Sequence, residues 1–199
     1  MGEYKLNTYS IAEYIALESS SNQKFEYFNG WIQALAGGTI NHGIICTNVS
    51  TALQNAVLAK DCIAINSEVK IYIERANSFV YPDAMVICNG IQTHDLDKNA
   101  VTNPTLIVEV LSDSTAKSDM GDKFFKYRMV DSFREYVVIR QDTAIVETFY
   151  REENGNWRIS SFIGLDKDIQ LHSIDKKISM GQVYLNVNNL QPPQFKTNL

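Results

Sequence analysis

Two carboxylates stand in apolar stretches of this sequence, at positions where a valine or an isoleucine would pack better. Asp83 follows a proline within the run at residues 79–88, and Glu109 interrupts the run at residues 106–111. Burying a carboxylate costs several kcal/mol unless the group is neutralised or paired. We therefore expect Asp83 and Glu109 to bind a cation together.

The cation that such oxygen ligands favour is Mg²⁺. Proteins typically hold Mg²⁺ through one or two carboxylates, and water and substrate phosphate complete its coordination. The carbonyl of Val110 is a further candidate ligand because a strand exposes it next to Glu109. A bound Mg²⁺ polarises a phosphoryl oxygen and lowers the pKa of an attacking water. Lys123, near the start of the helix predicted after the Glu109 strand, is the best placed cation to orient that water.

Each of these side chains also has a purely structural explanation. Asp83 could cap a turn after the preceding proline. Asp119 and Lys123 are four residues apart, so they could form an ordinary pair on a helix surface, worth a few tenths of a kcal/mol. Tyr127 could fill the core. Glu109 is the hardest to explain in this way, because no residue of its own strand neutralises it.

The elements that must position these residues alternate between helical and extended periodicity. Apolar residues recur at helical spacing over residues 8–20, 40–59 and 116–130. Extended segments are predicted at 68–74, 79–88, 104–111, 134–140 and 143–151, and as a hairpin about Asn29-Gly30 at 24–33. The segment at 104–111 is apolar on both faces, which is typical of a central strand. Residues 91–103 are predicted to form a mobile polar loop.

Two more polar residues have both a structural and a functional interpretation. Glu26 alternates with Phe25 and Tyr27, so it lies on the opposite face of its strand, either as an exposed carboxylate or as a functional group. His42 stands at the start of the second helix beside Asn41. A histidine there is more often a polar helix end than a contact to substrate phosphate.

Length and composition predict one domain. The chain has 199 residues, enough for a real core, and we predict a single α/β or α+β domain over residues 1–190 with a loose tail at 191–199. No apolar run approaches the roughly 20 residues that cross a bilayer, and the N-terminus lacks a secretory signal. Cys46, Cys62 and Cys88 are isolated and odd in number, which favours reduced thiols in a cytoplasmic protein.

Several functional classes are excluded. The formal net charge of −5 argues against a protein that coats nucleic acid non-specifically, although a nuclease with acidic metal ligands remains compatible. There is no HExxH, no cysteine and histidine cluster with zinc spacing, no Walker or Rossmann glycine loop and no GxSxG elbow. Conventional hydrolase, kinase and dehydrogenase sites are therefore not expected.

Three segments carry a resemblance to a known family. YPD, PTLIVEVLSDST and DMGDKFFKYRMVDSFREYVVI resemble the Uma-type restriction-endonuclease-like proteins of the PD-(D/E)XK nuclease superfamily. The resemblance runs from the KFEYFNG hairpin to the MGQVYL segment. It implies a restriction-endonuclease-like fold, a mixed central β-sheet flanked by helices. It also implies divalent-metal-dependent hydrolysis of phosphodiester bonds and a DNA substrate.

The resemblance assigns catalytic roles to four residues. Asp83 matches the Pro-Asp carboxylate and Glu109 matches the (D/E) of the motif. Leu111 occupies the position of the usual lysine, so the resemblance points to Lys123 on the following helix as its replacement. Glu26 matches an acidic residue that several superfamily members contribute from near their first helix.

The leading hypothesis is a homodimeric endonuclease that uses Mg²⁺, or Mn²⁺ in its place, and cuts both strands of DNA. His42, where relatives often carry a histidine, and Tyr127 are the candidate substrate contacts; no organic cofactor and no membrane are expected. The alternatives are a non-catalytic binding or assembly protein on the same fold, and a nuclease that acts on RNA or on a structured junction.

Overall fold

The two long helices begin at the polar residues that the sequence offers as caps. The computed structural model describes residues 8–112 and 119–193. Helix α1 spans Ile11–Ser19 and opens on a capping box in which Ser10 and Glu13 exchange hydrogen bonds. Helix α2 spans Ile40–Val57, and the Thr39 hydroxyl accepts a hydrogen bond from its third residue, His42.

The strands of the described residues form two larger sheets and one separate hairpin. The strands are β1 Phe25–Phe28, β2 Trp31–Ala34, β3 Cys62–Asn66, β4 Lys70–Ile73, β5 Ser78–Val80, β6 Ala84–Cys88, β7 Ala100–Val101, β8 Leu106–Leu111, β9 Glu135–Arg140, β10 Ile145–Arg151, β11 Trp157–Ile163, β12 Asp168–Leu171 and β13 Lys176–Ser179. The order of strands is β2-β1-β5-β4-β7 in the smaller sheet and β11-β10-β9-β8-β6-β3 in the larger one, and β12 pairs with β13. The larger sheet is mixed, because β8 and β9 run parallel while its other neighbouring strands are antiparallel. The predicted fold class, a mixed sheet with flanking helices, is confirmed.

The predicted single strand at residues 79–88 is wrong. The chain leaves the smaller sheet after β5, passes through Tyr81–Asp83 and enters the larger sheet as β6. We call these three residues the seam. Pro82 has no N–H with which to continue a ladder, so the break falls where proline permits it. The seam brings the two sheets side by side at Asp83.

Strand β8 is central, as predicted, and every residue in it is buried. Val108 and Val110 pack in one hydrophobic cluster with α2 residues such as Val49. Ile107 and Leu111 belong to a second cluster on the opposite face, which is rich in aromatic side chains. Since side chains alternate along a strand, Glu109 points to this second face.

The third predicted helix is shorter than its periodicity suggests. A π-helical turn at Asp119–Lys123 leads into α3, which spans Phe124–Tyr127. The predicted start near residue 116 lies outside the described residues. A π-turn holds more residues than an α-turn and is frequent at functional sites. Here it turns both Asp119 and Lys123 into the protein, where they are buried.

The remaining segments contain more order than predicted. The loop at residues 91–103 includes β7, and Asp97 in it forms a 2.7 Å ion pair with buried Lys70. Near the end, α4 spans Met180–Val183. The Gln191 N–H donates to the Asp142 carbonyl at 2.7 Å; residues 194–199 lie outside the described residues, so the extent of the tail stays a prediction.

The expectation of three reduced thiols is wrong for two of them. Cys62 on β3 and Cys88 on β6 form a disulfide. They are directly opposite each other in the antiparallel register, which a separation of 26 residues in sequence does not reveal. Cys46 is free and half-buried. None of the helices in the described ranges has the length and hydropathy needed to span a membrane.

Candidate active site

Asp83, the last residue of the seam, leads directly into β6, which pairs with the Glu109 strand β8, so the two carboxylates lie side by side as the sequence predicted. In the antiparallel pairing of β6 and β8, Ala84 faces Val108, so Asp83 lies one position further along, beside Glu109. The Asp83 carboxylate accepts a hydrogen bond of 2.7 Å from the Val110 N–H. The carboxylates of Asp83 and Glu109 and the backbone of Val110 therefore lie together at this edge of the seam.

Glu26 reaches the same point from the smaller sheet. It lies on β1 and its side chain is only 4% exposed, so it is not an exposed strand carboxylate. The Tyr81 N–H in the seam donates to Glu26 Oε1 at 3.0 Å, and the Tyr81 hydroxyl is held by Glu18 at 2.7 Å. The seam thus positions both carboxylates, because Tyr81 binds Glu26 and Asp83 is itself a residue of the seam.

Lys123 connects the carboxylates of the two sheets. Its Nζ lies 3.0 Å from Glu26 Oε1 and 3.5 Å from Glu109 Oε1. The third carboxylate is Asp119, whose Oδ1 is 3.4 Å from the same nitrogen. The Lys123 side chain is 9% exposed and that of Asp119 is 3% exposed. The alternative of an ordinary surface pair between Asp119 and Lys123 is therefore wrong.

Tyr127 and Tyr136 lie beneath the charged side chains and bind two of these residues through their hydroxyl groups. The Tyr127 hydroxyl donates to Glu109 Oε1 at 2.8 Å, and the Tyr136 hydroxyl donates to the Asp119 carbonyl at 2.9 Å. Both rings are fully buried in the aromatic cluster under β8. Tyr127 thus fills the core and also fixes the orientation of Glu109.

Burial and neighbouring charges shift the pKa values of Glu109 and Lys123. Burial raises the pKa of Glu109 well above its ordinary value of 4.5; the Lys123 ammonium opposes this shift, and Asp83 and Asp119 add to it. Burial alone would lower the pKa of Lys123, but Glu109, Glu26 and Asp119 raise it above its ordinary value of 10.5. Lys123 therefore remains an ammonium group, which donates hydrogen bonds and stabilises negative charge but does not take a proton from water.

His42 and Cys46 extend the site along α2. His42 Nε2 lies 3.4 Å from Asp83 Oδ2, and Cys46 Sγ lies 3.4 Å from His42 Nδ1. The hydrogen bond to Asp83 raises the pKa of His42 against the opposing effect of burial, and burial raises the pKa of the Cys46 thiol. Gly38 makes room for the imidazole, since a Cβ there would lie 2.8 Å from His42 Nδ1.

The structure thus brings together all the residues that the sequence singled out: Glu26, His42, Asp83, Glu109, Val110, Lys123 and Tyr127. Two neighbours were missed as site residues. Asp119 was considered only as the partner of Lys123 in an alternative surface pair and was not assigned to the site, although its four-residue spacing from Lys123 was the available signal. Cys46 has the same helical spacing from His42, and that signal was not used.

The donor set fits a hard divalent cation. Three carboxylates, those of Glu26, Glu109 and Asp119, contact one lysine, and a fourth, Asp83, lies beside Glu109, so negative charge is in excess. Within the described residues, buried Asp119 Oδ1 accepts no hydrogen bond, although it lies 3.4 Å from Lys123 Nζ. Buried carboxylates that outnumber their cationic partners are costly, and a cation with oxygen ligands would compensate them. Asp83, Glu109 and the Val110 carbonyl are the groups from adjacent strands that would hold it.

Tyr127→Phe is expected to slow any reaction at this site about tenfold, because Glu109 loses the hydroxyl that orients it. Removing one partner of a buried hydrogen bond costs about 1–3 kcal/mol, so the free energy of unfolding should fall by a similar amount. Cleavage rates and denaturant unfolding measure the two effects. Tyr184→Phe is the control, since its buried hydroxyl contacts only carbonyls far from the site; equal loss of rate in both variants would contradict the assignment.

The sequence of this chain is similar to a family model and to known proteins. A family model named Uma2, described as "Putative restriction endonuclease", matches residues 11–181. The uncharacterized Synechocystis protein slr1290 is 31% identical over 175 residues, which cover 88% of this chain and 90% of that protein. Another uncharacterized Synechocystis protein, sll1609, is 33% identical over 161 residues, or 81% and 91% of the two chains.

A solved structure shares the fold. It is described as "a putative nuclease belonging to DUF820" from Anabaena variabilis, and it superposes with a TM-score of 0.70 over 88% of this chain and 97% of that one. The sequence identity is 15%, so this likeness concerns the fold alone.

Proposed function

The chain belongs to the Uma2 family of restriction-endonuclease-like proteins, and from this premise we propose that it is a Mg²⁺-dependent endonuclease that hydrolyses phosphodiester bonds in DNA. The observation that carries the proposal is the convergence of Glu26, Asp83, Glu109 and Lys123 at the seam. Two sheets and one helix contribute these groups, and their burial is costly without a cation to bind.

Asp83, Glu109 and the Val110 carbonyl would hold Mg²⁺, or Mn²⁺ in its place. When bound, the metal polarises a phosphoryl oxygen and acidifies the attacking water. Tyr127 keeps Glu109 directed toward the metal position through its 2.8 Å hydrogen bond. Carboxylate oxygens are the ligands that both ions prefer.

Lys123 supplies positive charge and hydrogen-bond donors beside the metal position. Because three carboxylates hold it as an ammonium group, it orients the attacking water and stabilises the charge that develops on the phosphate, rather than serving as a base. Glu26 and Asp119 fix its Nζ from two sides at 3.0 and 3.4 Å. A lysine from the helix thereby takes the role that Leu111 cannot perform.

His42 is proposed to contact the substrate phosphate from the start of α2, and Asp83 keeps it more cationic than a free histidine. A homodimer would allow both strands of DNA to be cut, and the cytoplasm is the proposed location. The role of His42, the homodimer and the cytoplasmic location are parts of the same proposal.

Supercoiled plasmid tests the activity. The wild-type protein should nick or linearise the plasmid with Mg²⁺ or Mn²⁺, and EDTA should stop the reaction. Asp83→Asn should lose the activity, whereas Asp131→Asn should keep it, because the Asp131 side chain is 84% exposed and its ion pair is with Arg75, which is itself 65% exposed. Equal cleavage by the wild-type protein and Asp83→Asn would reject the proposal, and a structured RNA substrate in parallel determines the nucleic-acid class.

The rival function is non-catalytic binding on the same fold. It derives from Leu111 at the usual lysine position, and the contact of Lys123 with Glu109 speaks against it. Calorimetric titration with Mn²⁺ separates the two functions: the nuclease predicts binding heat that Asp83→Asn abolishes, and the rival predicts none.

A further inference from the structure

A second set of potential metal ligands shares Asp83 with the proposed nuclease centre. His42 and Cys46 are four residues apart on α2, so they lie on one face of the helix, and this face is turned toward Asp83. One donor atom from each of the three residues lies within 4.8 Å of the other two. All three side chains are half-buried, so an ion from solvent can reach them.

The donor types differ from those of the carboxylate cluster. Thiolate and imidazole are ligands that Zn²⁺ favours, whereas Mg²⁺ favours oxygen. A tetrahedral Zn²⁺ with ordinary bond lengths separates its ligand atoms by roughly 3.4–3.7 Å. The separation of 3.4 Å between His42 Nε2 and Asp83 Oδ2 already matches this range. Cys46 Sγ lies 3.4 Å from the other ring nitrogen, Nδ1, so the thiol or the imidazole turns when one ion binds all three side chains. The three protein ligands would leave the fourth position to water.

The ligand residues are also held in place. The Thr39 hydroxyl accepts a hydrogen bond from the His42 N–H at 3.1 Å and donates one to Gln141 at 2.6 Å, which fixes the first turn of α2. Gly38 lets the imidazole lie close to the chain. Cys46 is the free thiol of the protein, because Cys62 and Cys88 are joined to each other.

We propose that His42, Cys46 and Asp83 form a site for a thiophilic divalent cation of the Zn²⁺ class, and that this cation competes with Mg²⁺ for Asp83. Binding of the thiophilic cation stands on the geometry of the three residues alone. The competition rests on the proposed function, since it requires that Asp83 also hold Mg²⁺. One carboxylate then serves two exclusive metal sites, and a soft cation inhibits the nuclease by occupying its ligand.

Cobalt(II) is the probe for the binding step, because a bound thiolate gives a charge-transfer band in the near ultraviolet. The wild-type protein should bind one Co²⁺ with this band, and Zn²⁺ should abolish it. Cys46→Ser and Cys46→Ala should both lack the band, since either variant has no free thiol. Absence of the band in the wild-type protein, or its persistence in the two Cys46 variants, would overturn the site.

Two further variants test the sharing of Asp83. Asp83→Asn should weaken Co²⁺ binding on the order of tenfold or more, whereas Glu109→Gln should leave the band and the affinity unchanged. Excess Mg²⁺ should raise the apparent Kd for Co²⁺ in the wild-type protein. Unchanged affinity in Asp83→Asn, or no effect of Mg²⁺, would overturn the shared ligand.

Inhibition of plasmid cleavage by Zn²⁺ tests whether occupancy of this metal site affects the nuclease activity. Zn²⁺ should inhibit plasmid cleavage by the wild-type protein, and Cys46→Ser should require on the order of tenfold more Zn²⁺ for the same inhibition. Identical inhibition of both proteins would overturn the competition. Because the cobalt band is read without a nucleic acid, failure of the proposed nuclease function leaves the band in place, and failure of this site leaves metal-dependent cleavage in place.

Discussion

Glu109→Gln is expected to abolish metal-dependent cleavage, with a loss of about 1,000-fold, while the protein remains folded. The substitution keeps the size of the side chain and an oxygen within reach of the Tyr127 hydroxyl, but it removes the negative charge that would hold the metal. Losing one preorganised charge partner of a transition state costs about 10²–10³ in rate. Lys123 stays paired, because Glu26 and Asp119 still contact it at 3.0 and 3.4 Å.

The same variant should change how stability depends on pH. Because burial raises the pKa of Glu109 above 4.5 in the folded protein, the folded state binds a proton that the unfolded chain has already released. The contribution of Glu109 to stability is therefore greatest below pH 4.5 and falls as the pH rises toward the folded pKa. Glu109→Gln lacks this decline, so its stability relative to the wild-type protein should increase as pH rises.

Denaturant unfolding between pH 5 and pH 8, without divalent cations, measures the difference. Glu153→Gln is the matched control, because Glu153 is exposed and its replacement should leave both the pH dependence and the cleavage rate unchanged. A parallel pH dependence in the wild-type protein and Glu109→Gln would show that Glu109 does not retain its proton in the folded state.

Lys123→Met is expected to destabilise the protein by about 3–5 kcal/mol, because it removes the partner from three buried carboxylates. Cleavage should also fall by about 10²–10³, since the ammonium group no longer stabilises charge at the phosphate. Mn²⁺ should stabilise this variant more than it stabilises the wild-type protein, because the metal then supplies the missing positive charge. At 100 times its Kd a ligand adds about 2.7 kcal/mol, which is measurable by denaturant unfolding.

Lys126→Met is the control on the same helix. Its ammonium group lies over the Phe28 ring, 4.6 Å from the centroid, and such a contact contributes about 0.5–1 kcal/mol. Lys123→Arg supplies a folded comparison that keeps the charge. If Lys123→Met were as stable as Lys126→Met and gained nothing from Mn²⁺, the role of Lys123 as the shared partner would be rejected.

The parts of the fold that local pattern determines were predictable. The continuous apolar run at 104–111 identified β8 as a central strand, and the Ser10–Glu13 capping box placed the start of α1. Asp83 and Glu109 were identifiable because a carboxylate in an apolar run violates the pattern. The sequence allowed the two carboxylates to lie side by side on neighbouring strands, and β6 and β8 do pair, although β7, which joins the smaller sheet, lies between them in the chain.

The features that depend on tertiary pairing were not predictable. The change of sheet at the seam could not be seen, because alternation in a strand says nothing about which neighbours the strand will have. The sequence placed Asp119 at the border of an apolar helical stripe, where a surface pair with Lys123 was as compatible as burial, and the π-turn that contains both residues has no clear sequence signal. The disulfide of Cys62 and Cys88 likewise depends on the register of two strands.

The seam also limits the thermal stability of the assembled site. Glu26 is held by a sheet whose strands are short, with three residues in β5 and two in β7, while Asp83 directly precedes β6 and Glu109 lies within β8 of the larger sheet. Short strands open more readily than long ones, and proteins open in such cooperative units. Opening of the smaller sheet would withdraw Glu26 from Lys123 and leave the other carboxylates in position. Heat would then inactivate the protein by partial opening, at a temperature below that of complete unfolding.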